Sequence, residues 1–182
     1  MKLVILDRDG VINYNSKARI LTPEQWEPLP GSLEAIVKLK TAGYTVVIAT
    51  NQSIISKKKI TIEGLQAIHN KMQQLLNQHN VAIDKIFFCP HQDSDNCECR
   101  KPKPGMLIAV SQEYNVDFNQ QTIPFVGDAH IDLLAATAAG ALPILVKTGK
   151  GLKTIEQVSD MKDLLIFDDL SAFVDYWLDT ST

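Results

Sequence analysis

Short apolar runs recur along the chain at residues 3–6, 44–49, 86–88, 123–126, 142–146 and 164–167. They are rich in Val, Ile and Leu and show little apolar–polar alternation. That pattern predicts strands buried on both faces, as in a parallel sheet. Between them apolar positions recur at helical spacing over 32–42, 61–79, 104–114, 131–139 and 170–178, with Gly43 and Gly140 placed to end the first and fourth. Strands alternating with helices predict an α/β fold, a three-layer, doubly wound parallel sheet with right-handed crossovers.

Two stretches break this rhythm. Residues 13–30 form a long polar connection after the first strand, with Pro23, Pro28 and Pro30, and residues 89–105 form a second. Loops of that length inside a compact domain usually carry function. Composition narrows the classes. A chain of 182 residues, 45% apolar and 21% charged, is sized for one domain over 1–182 with a continuous core. Its net charge of −3 lacks the basic excess of a nucleic-acid binder, and Lys57-Lys58-Lys59 is short enough to be a solvated loop. No run approaches the roughly 20 apolar residues that cross a bilayer. The four apolar residues before Asp7 fall short of a secretory core of about 7–15 residues, so a cytoplasmic protein without membrane partners is expected.

Ligands of open α/β sheets bind beyond the carboxyl ends of the strands. Asp7-Arg8-Asp9-Gly10 follows the first strand, Thr50-Asn51-Gln52-Ser53 the second, and Gly127-Asp128-Ala129-His130-Ile131-Asp132 the fourth. Three carboxylates should converge there with a hydroxyl beside them. Clustered carboxylates repel, and a divalent cation relieves that. Hard oxygen donors without sulfur suit Mg²⁺, and Mg²⁺ with a carboxylate nucleophile suits phosphoryl transfer. Asp132 also fits a plainer role, as an acid favoured early in a helix.

The three cysteines, Cys89, Cys97 and Cys99, lie with His91 inside the second long loop. An odd count gathered so closely argues against a disulfide framework. Three sulfurs and one imidazole match a closed, tetrahedral structural Zn²⁺ site within 89–105, where the metal would supply ordering energy the loop's few apolar residues cannot. Arg100 and Lys101 follow Cys99 directly, so fixing that sulfur would aim two cations at the acidic strand ends. Arg suits bidentate phosphate binding and Lys acts as a point charge.

Asp7-x-Asp9-Gly10, Thr50-Asn51, Lys101-Pro102 and Gly127-Asp128-x-x-x-Asp132 resemble, in order and spacing, the four motifs of the haloacid dehalogenase superfamily. The resemblance covers about residues 1–150 and implies a Rossmann-like fold without a large cap domain. It implies that Asp7 attacks phosphorus to form an aspartyl-phosphate. Asp9 would protonate the leaving oxygen and then activate water, for which a raised pKa is expected. Thr50 and Lys101 would hold the transferring oxygens. Asp7, the Asp9 carbonyl and Asp128 would bind Mg²⁺, with Asp132 orienting Lys101 or a metal-bound water.

Cys89-Pro90-His91 and Cys97-x-Cys99-Arg100-Lys101-Pro102, taken with Asp7–Asn13, narrow the resemblance to the heptose-bisphosphate phosphatases, with histidinol-phosphate phosphatases sharing much of the pattern. That implies a monomer removing the 7-phosphate of D-glycero-D-manno-heptose 1,7-bisphosphate, a step supplying ADP-heptose for lipopolysaccharide core, with catalytic Mg²⁺ and structural Zn²⁺. Asn13, Asn51, Ser53 and Arg100 would contact the small phosphorylated sugar. The run Ile54–Lys59 replaces glycines and an arginine usual in that family, and Ala129 stands where a polar residue is common. Two further readings use similar chemistry. A receiver-like phospho-acceptor switch has its acceptor after an internal strand and no use for a zinc loop. A nucleic-acid 3′-phosphatase would need a basic, aromatic-rich face.

Overall fold

The computed structural model describes residues 1–15, 20–158, 160–161 and 163–180; residues 16–19, inside the first long connection, lie outside the described residues. Strands β1 (Leu3–Leu6), β2 (Thr45–Asn51), β3 (Lys85–Cys89), β4 (Pro124–Gly127), β5 (Leu142–Val146) and β6 (Leu165–Phe167) form one sheet among the described residues. All pairings are parallel, in the order β3-β2-β1-β4-β5-β6. Chain direction across the sheet therefore reverses between β1 and β4. Two crevice walls part there, and ligands of such sheets bind at that point.

Parity along β1 shows why its four residues are all apolar. Val4 and Leu6 face a core built with α1 (Ser32–Thr41), α2 (Ile62–Asn77) and α6 (Leu170–Thr180). Leu3 and Ile5 face a second core built with α3 (Gly105–Tyr114) and α4 (His130–Ala139). Helices on both faces make the three layers read from the sequence. Among the described residues no helix is long and apolar enough to cross a membrane.

Local chemistry sets the boundaries. Thr61 caps α2 by accepting from Gly64 N–H at 3.1 Å, and Gly140 ends α4 in the left-handed region at φ 81°. The helix expected over 61–79 stops at Asn77. β2 runs two residues past its expected end, so that Thr50 and Asn51 are still strand when they reach the crevice. A short helix, α5 (Gly151–Ile155), follows β5 where the sequence pattern predicted none.

Candidate active site

The strand ends converge as the sequence pattern implies. Asp7 leaves β1 and Asp128 leaves β4 on the two sides of the reversal. Asp7, Asp128 and Asp132 are buried, and each brings a carboxylate oxygen within 4.8 Å of the others. Glycine makes room for them. A Cβ on Gly10 or on Gly149 would stand 2.1 Å from Asp128 Oδ2, and both residues hold positive φ, at 92° and 59°.

Lys101 enters this cluster from the second long loop and is itself buried. Its Nζ lies 3.0 Å from Asp7 Oδ1 and 2.6 Å from Asp132 Oδ1, and donates to Ala49 O at 2.8 Å. The same ammonium sits 5.2 Å from the Phe125 ring centroid. Asn51 fixes the Lys101 backbone through two bonds, accepting from its N–H at 3.1 Å and donating to its carbonyl at 3.0 Å. Burial lowers the affinity of the Lys101 amine for its proton, but the Asp132 and Asp7 charges outweigh that and raise its pKa. Burial pushes Asp7 up to about 6; Lys101 counters this, while Asp132 and Asp9 add to it. Burial, with the Asp7 and Asp132 charges, pushes Asp128 up to about 7. The cluster holds more negative charge than Lys101 alone neutralises.

Asp9 departs from expectation. Its pKa was expected to be raised; it is lowered instead. Burial does push it up, but the Arg8 guanidinium outweighs that by folding back on its neighbour, with Nη2 at 2.9 and 3.0 Å from the two carboxylate oxygens and Nε at 3.0 Å from Oδ1. Asn13 Nδ2 and Gln52 Nε2 donate to the same carboxylate at 2.9 and 3.1 Å. Arg8 Nη1 lies 3.1 Å from Nε2 of His69. Burial, then the Arg8 charge, brings His69 down to about 3, so the ring is neutral and serves as acceptor.

Asp7, Asp9, Thr50, Lys101, Asp128 and Asp132 all line one pocket, completed by Asn15, Asn51, Arg100, Ala129, Ile131 and Lys150. Two residues expected at substrate lie elsewhere. Asn13 is fully buried and spends its amide on Asp9 and on the Tyr14 carbonyl. Ser53 is buried and is not among the pocket's lining residues, and its carbonyl accepts from Ser56 Oγ and Lys57 N–H. Arg8 and Gln52 stood inside the quoted motifs without a role. His69 gave one signal, a polar residue on the apolar stripe Leu65, Ile68, Met72 and Leu76 of α2.

Cys89, His91, Cys97 and Cys99 also come together. Their sulfurs are 3.1, 3.5 and 3.6 Å apart, and His91 Nδ1 lies 3.3 and 3.7 Å from Cys99 and Cys89. A zinc tetrahedron with bonds of about 2.3 Å to sulfur and 2.0 Å to nitrogen has edges of this size. The donor set and its spacing fit the metal.

Comparison with known proteins agrees with the geometry. A relative from Pseudomonas putida named D-glycero-beta-D-manno-heptose-1,7-bisphosphate 7-phosphatase is 49% identical over 172 residues, covering 94% of this chain and 97% of its own. The chain belongs to the heptose-bisphosphate 7-phosphatase family. A member from Neisseria meningitidis serogroup B is 44% identical over 184 residues, covering all of this chain and 97% of its own. The solved structure of the Bordetella bronchiseptica member, complexed with magnesium and phosphate, superposes with a TM-score of 0.95 at 45% identity over 99% of both chains. The Burkholderia thailandensis member gives 0.76 at 39% identity over 98% of this chain and 99% of that one. A broader family model, described as polynucleotide kinase 3 phosphatase, matches residues 2–140. A putative haloacid-dehalogenase-like phosphatase from Mesorhizobium loti superposes with a TM-score of 0.73 at 28% identity over 80% of this chain and 72% of that one, which places the fold among the haloacid dehalogenase phosphatases.

Proposed function

We propose that the chain removes the 7-phosphate of D-glycero-β-D-manno-heptose 1,7-bisphosphate, with Asp7 as nucleophile. The observation that carries this is the meeting of Asp7 and Asp128 at the sheet reversal with Lys101 between Asp7 and Asp132. Arg8 N–H and Lys101 both bond Asp7 Oδ1, at 2.8 and 3.0 Å. Among the described residues Oδ2 accepts no hydrogen bond, which leaves it available to phosphorus or to a cation.

Asp132 is committed to Lys101, so Asp7 and Asp128 are the side chains that would hold Mg²⁺, together with the Asp9 carbonyl. The excess negative charge of the cluster and its all-oxygen donors fit that ion, and the Bordetella bronchiseptica relative is complexed with magnesium and phosphate. The bound ion supplies charge neutralisation on the transferring phosphoryl group. Asp7 attacks phosphorus, the bond to the sugar oxygen breaks, and that oxygen takes its proton from Asp9. In the second half Asp9 takes a proton from water as it attacks the aspartyl-phosphate, freeing phosphate and regenerating Asp7. The resting Asp9, held ionised by Arg8, is set for the second half. For the first half, the incoming phosphate dianion raises its proton affinity and Asp9 takes up a proton from water, which it then gives to the leaving sugar oxygen. Thr50, whose Oγ1 accepts from Gln52 at 3.0 Å, and Lys101 face the transferring oxygens.

Zn²⁺ at Cys89, His91, Cys97 and Cys99 would fix the segment that carries Lys101. A Cys97→Ser variant is expected to hold less than one zinc per chain by elemental analysis and to lose activity through disorder of that segment; an unchanged zinc content would remove Cys97 from the ligand set. The function itself is tested by kcat/KM with Mg²⁺ on both anomers of heptose 1,7-bisphosphate, fructose 1,6-bisphosphate and histidinol phosphate. The β-heptose bisphosphate should lead; preference for histidinol phosphate would overturn the reading.

A further inference from the structure

His69 is a buried histidine that the proposed reaction does not use. It touches that reaction through Arg8. The Arg8 N–H holds Asp7 Oδ1, and one edge of its guanidinium, Nε and Nη2, holds the Asp9 carboxylate. Arg8 and Asp9 are neighbours on one loop, so the pair can shift as a unit. Nε lies on the axis of the last side-chain rotation, and a bond to it leaves the guanidinium plane free to turn. Nη2 lies off that axis, but its partner is Asp9, which would move with it. Nη1 also lies off the axis, and it meets His69 Nε2 at 3.1 Å. Among the described residues this is the one hydrogen bond from the guanidinium to a residue outside the loop from Asp7 to Asn13.

The element that carries His69 is rigidly seated. α2 buries Ile68, Met72 and Leu76 in the same core as Val4 and Leu6 of β1, and His69 lies on that apolar stripe. The ring stands edge-on to Phe88 of β3, with centroids 6.4 Å apart and planes at 62°. Phe88 pairs in register with Thr50 of β2, so the ring is held by the strands that build the pocket. With Arg8 donating to Nε2, the neutral ring carries its proton on Nδ1. An imidazolium would present a like charge to the guanidinium and no acceptor.

We propose that His69 is a positioning residue for the reaction: by accepting from Arg8 Nη1 it fixes the guanidinium plane, and through that plane the Asp9 carboxylate, to the helix layer. This rests on the role of Asp9 in the function proposed above. The Asp9 side chain keeps 25% of its surface exposed, and that part meets the leaving oxygen in one half of the reaction and water in the other. A displacement of about 1 Å at such a group can slow a reaction by about a hundredfold. Asn13 and Gln52 also hold the carboxylate, so loss of His69 loosens Asp9 without freeing it. The effect falls on proton transfer and not on substrate binding, because His69 does not line the pocket.

The test measures kcat per folded enzyme and KM on heptose 1,7-bisphosphate with Mg²⁺, in the wild type, His69→Leu, His69→Gln, Arg8→Lys and Arg8→Lys/His69→Leu. His69→Leu should lower kcat about tenfold and leave KM within about twofold. His69→Gln, whose amide oxygen can accept in place of Nε2, should return kcat to within about threefold of wild type. With Arg8→Lys there is no guanidinium to orient, so adding His69→Leu should lower kcat no further. An unchanged kcat in His69→Leu, equal losses in the Leu and Gln variants, or losses that multiply in the double variant would each overturn the proposal. A long-range ¹H–¹⁵N correlation spectrum of the wild type reads the same bond without any substitution. The His69 proton should be on Nδ1, and a proton on Nε2 would overturn the proposal even if the Leu variant did not fold. A wild type with no turnover of the bisphosphate overturns the proposed function; the tautomer, and the same comparison on an aryl phosphate, then decide the role of His69 separately.

Discussion

An Asp7→Asn variant is expected to lose turnover by about 10⁴-fold or more while remaining folded. The amide cannot form the acyl-phosphate, yet its oxygen can still accept from Arg8 N–H and Lys101 as Asp7 Oδ1 does. Asp7 also stands beside Asp128 and Asp132 in a cluster where burial already presses its carboxyl up to about 6. Removing that charge relieves repulsion, so Tm should be unchanged or higher. Steady-state phosphate release and a thermal melt check both halves. Activity within a few-fold of wild type would remove Asp7 as nucleophile.

Lys101→Met carries the second large effect, on stability as well as rate. Among the described residues Lys101 is the cation in contact with both Asp7 and Asp132, and all three are buried. Its loss strands two carboxylates in a poorly solvated crevice. Breaking a buried pair from one side costs about 3–5 kcal/mol. The change should appear as a lower denaturation midpoint with an unchanged m-value. In the proposed reaction the ammonium also holds the transferring oxygens, so activity should fall at least about a thousandfold. The double variant Lys101→Met/Asp132→Asn should recover much of the stability and little of the activity. Recovery of both would make Lys101 purely structural.

Sequence legibility followed the physics of each element. β1 was readable because a strand buried on both faces must be apolar at every position, as Leu3 to Leu6 are. The positions of Asp7 and Asp128 then followed from where parallel strands end. The cysteine cluster was readable from donor chemistry alone. Side-chain direction was not. Asn13 turns inward to Asp9, and Ser53 is buried away from the pocket lining, because loop geometry set by distant contacts decides where such residues point. The direction of the Asp9 shift was hidden for the same reason, since sequence adjacency does not reveal that Arg8 folds back in a bidentate pair. α5 was invisible because five residues are too few for a periodic signal, although Lys150 beyond β5 follows the same strand-end rule that found Asp128.

In the proposed reaction Asp7 itself takes up the phosphoryl group. Rapid acid quench of the enzyme turning over heptose bisphosphate with Mg²⁺, followed by borohydride reduction and peptide mapping, tests it most directly. Reduction of an aspartyl-phosphate yields homoserine, and homoserine at position 7 is the predicted result. Homoserine at any other position, or at none while turnover proceeds, would contradict it.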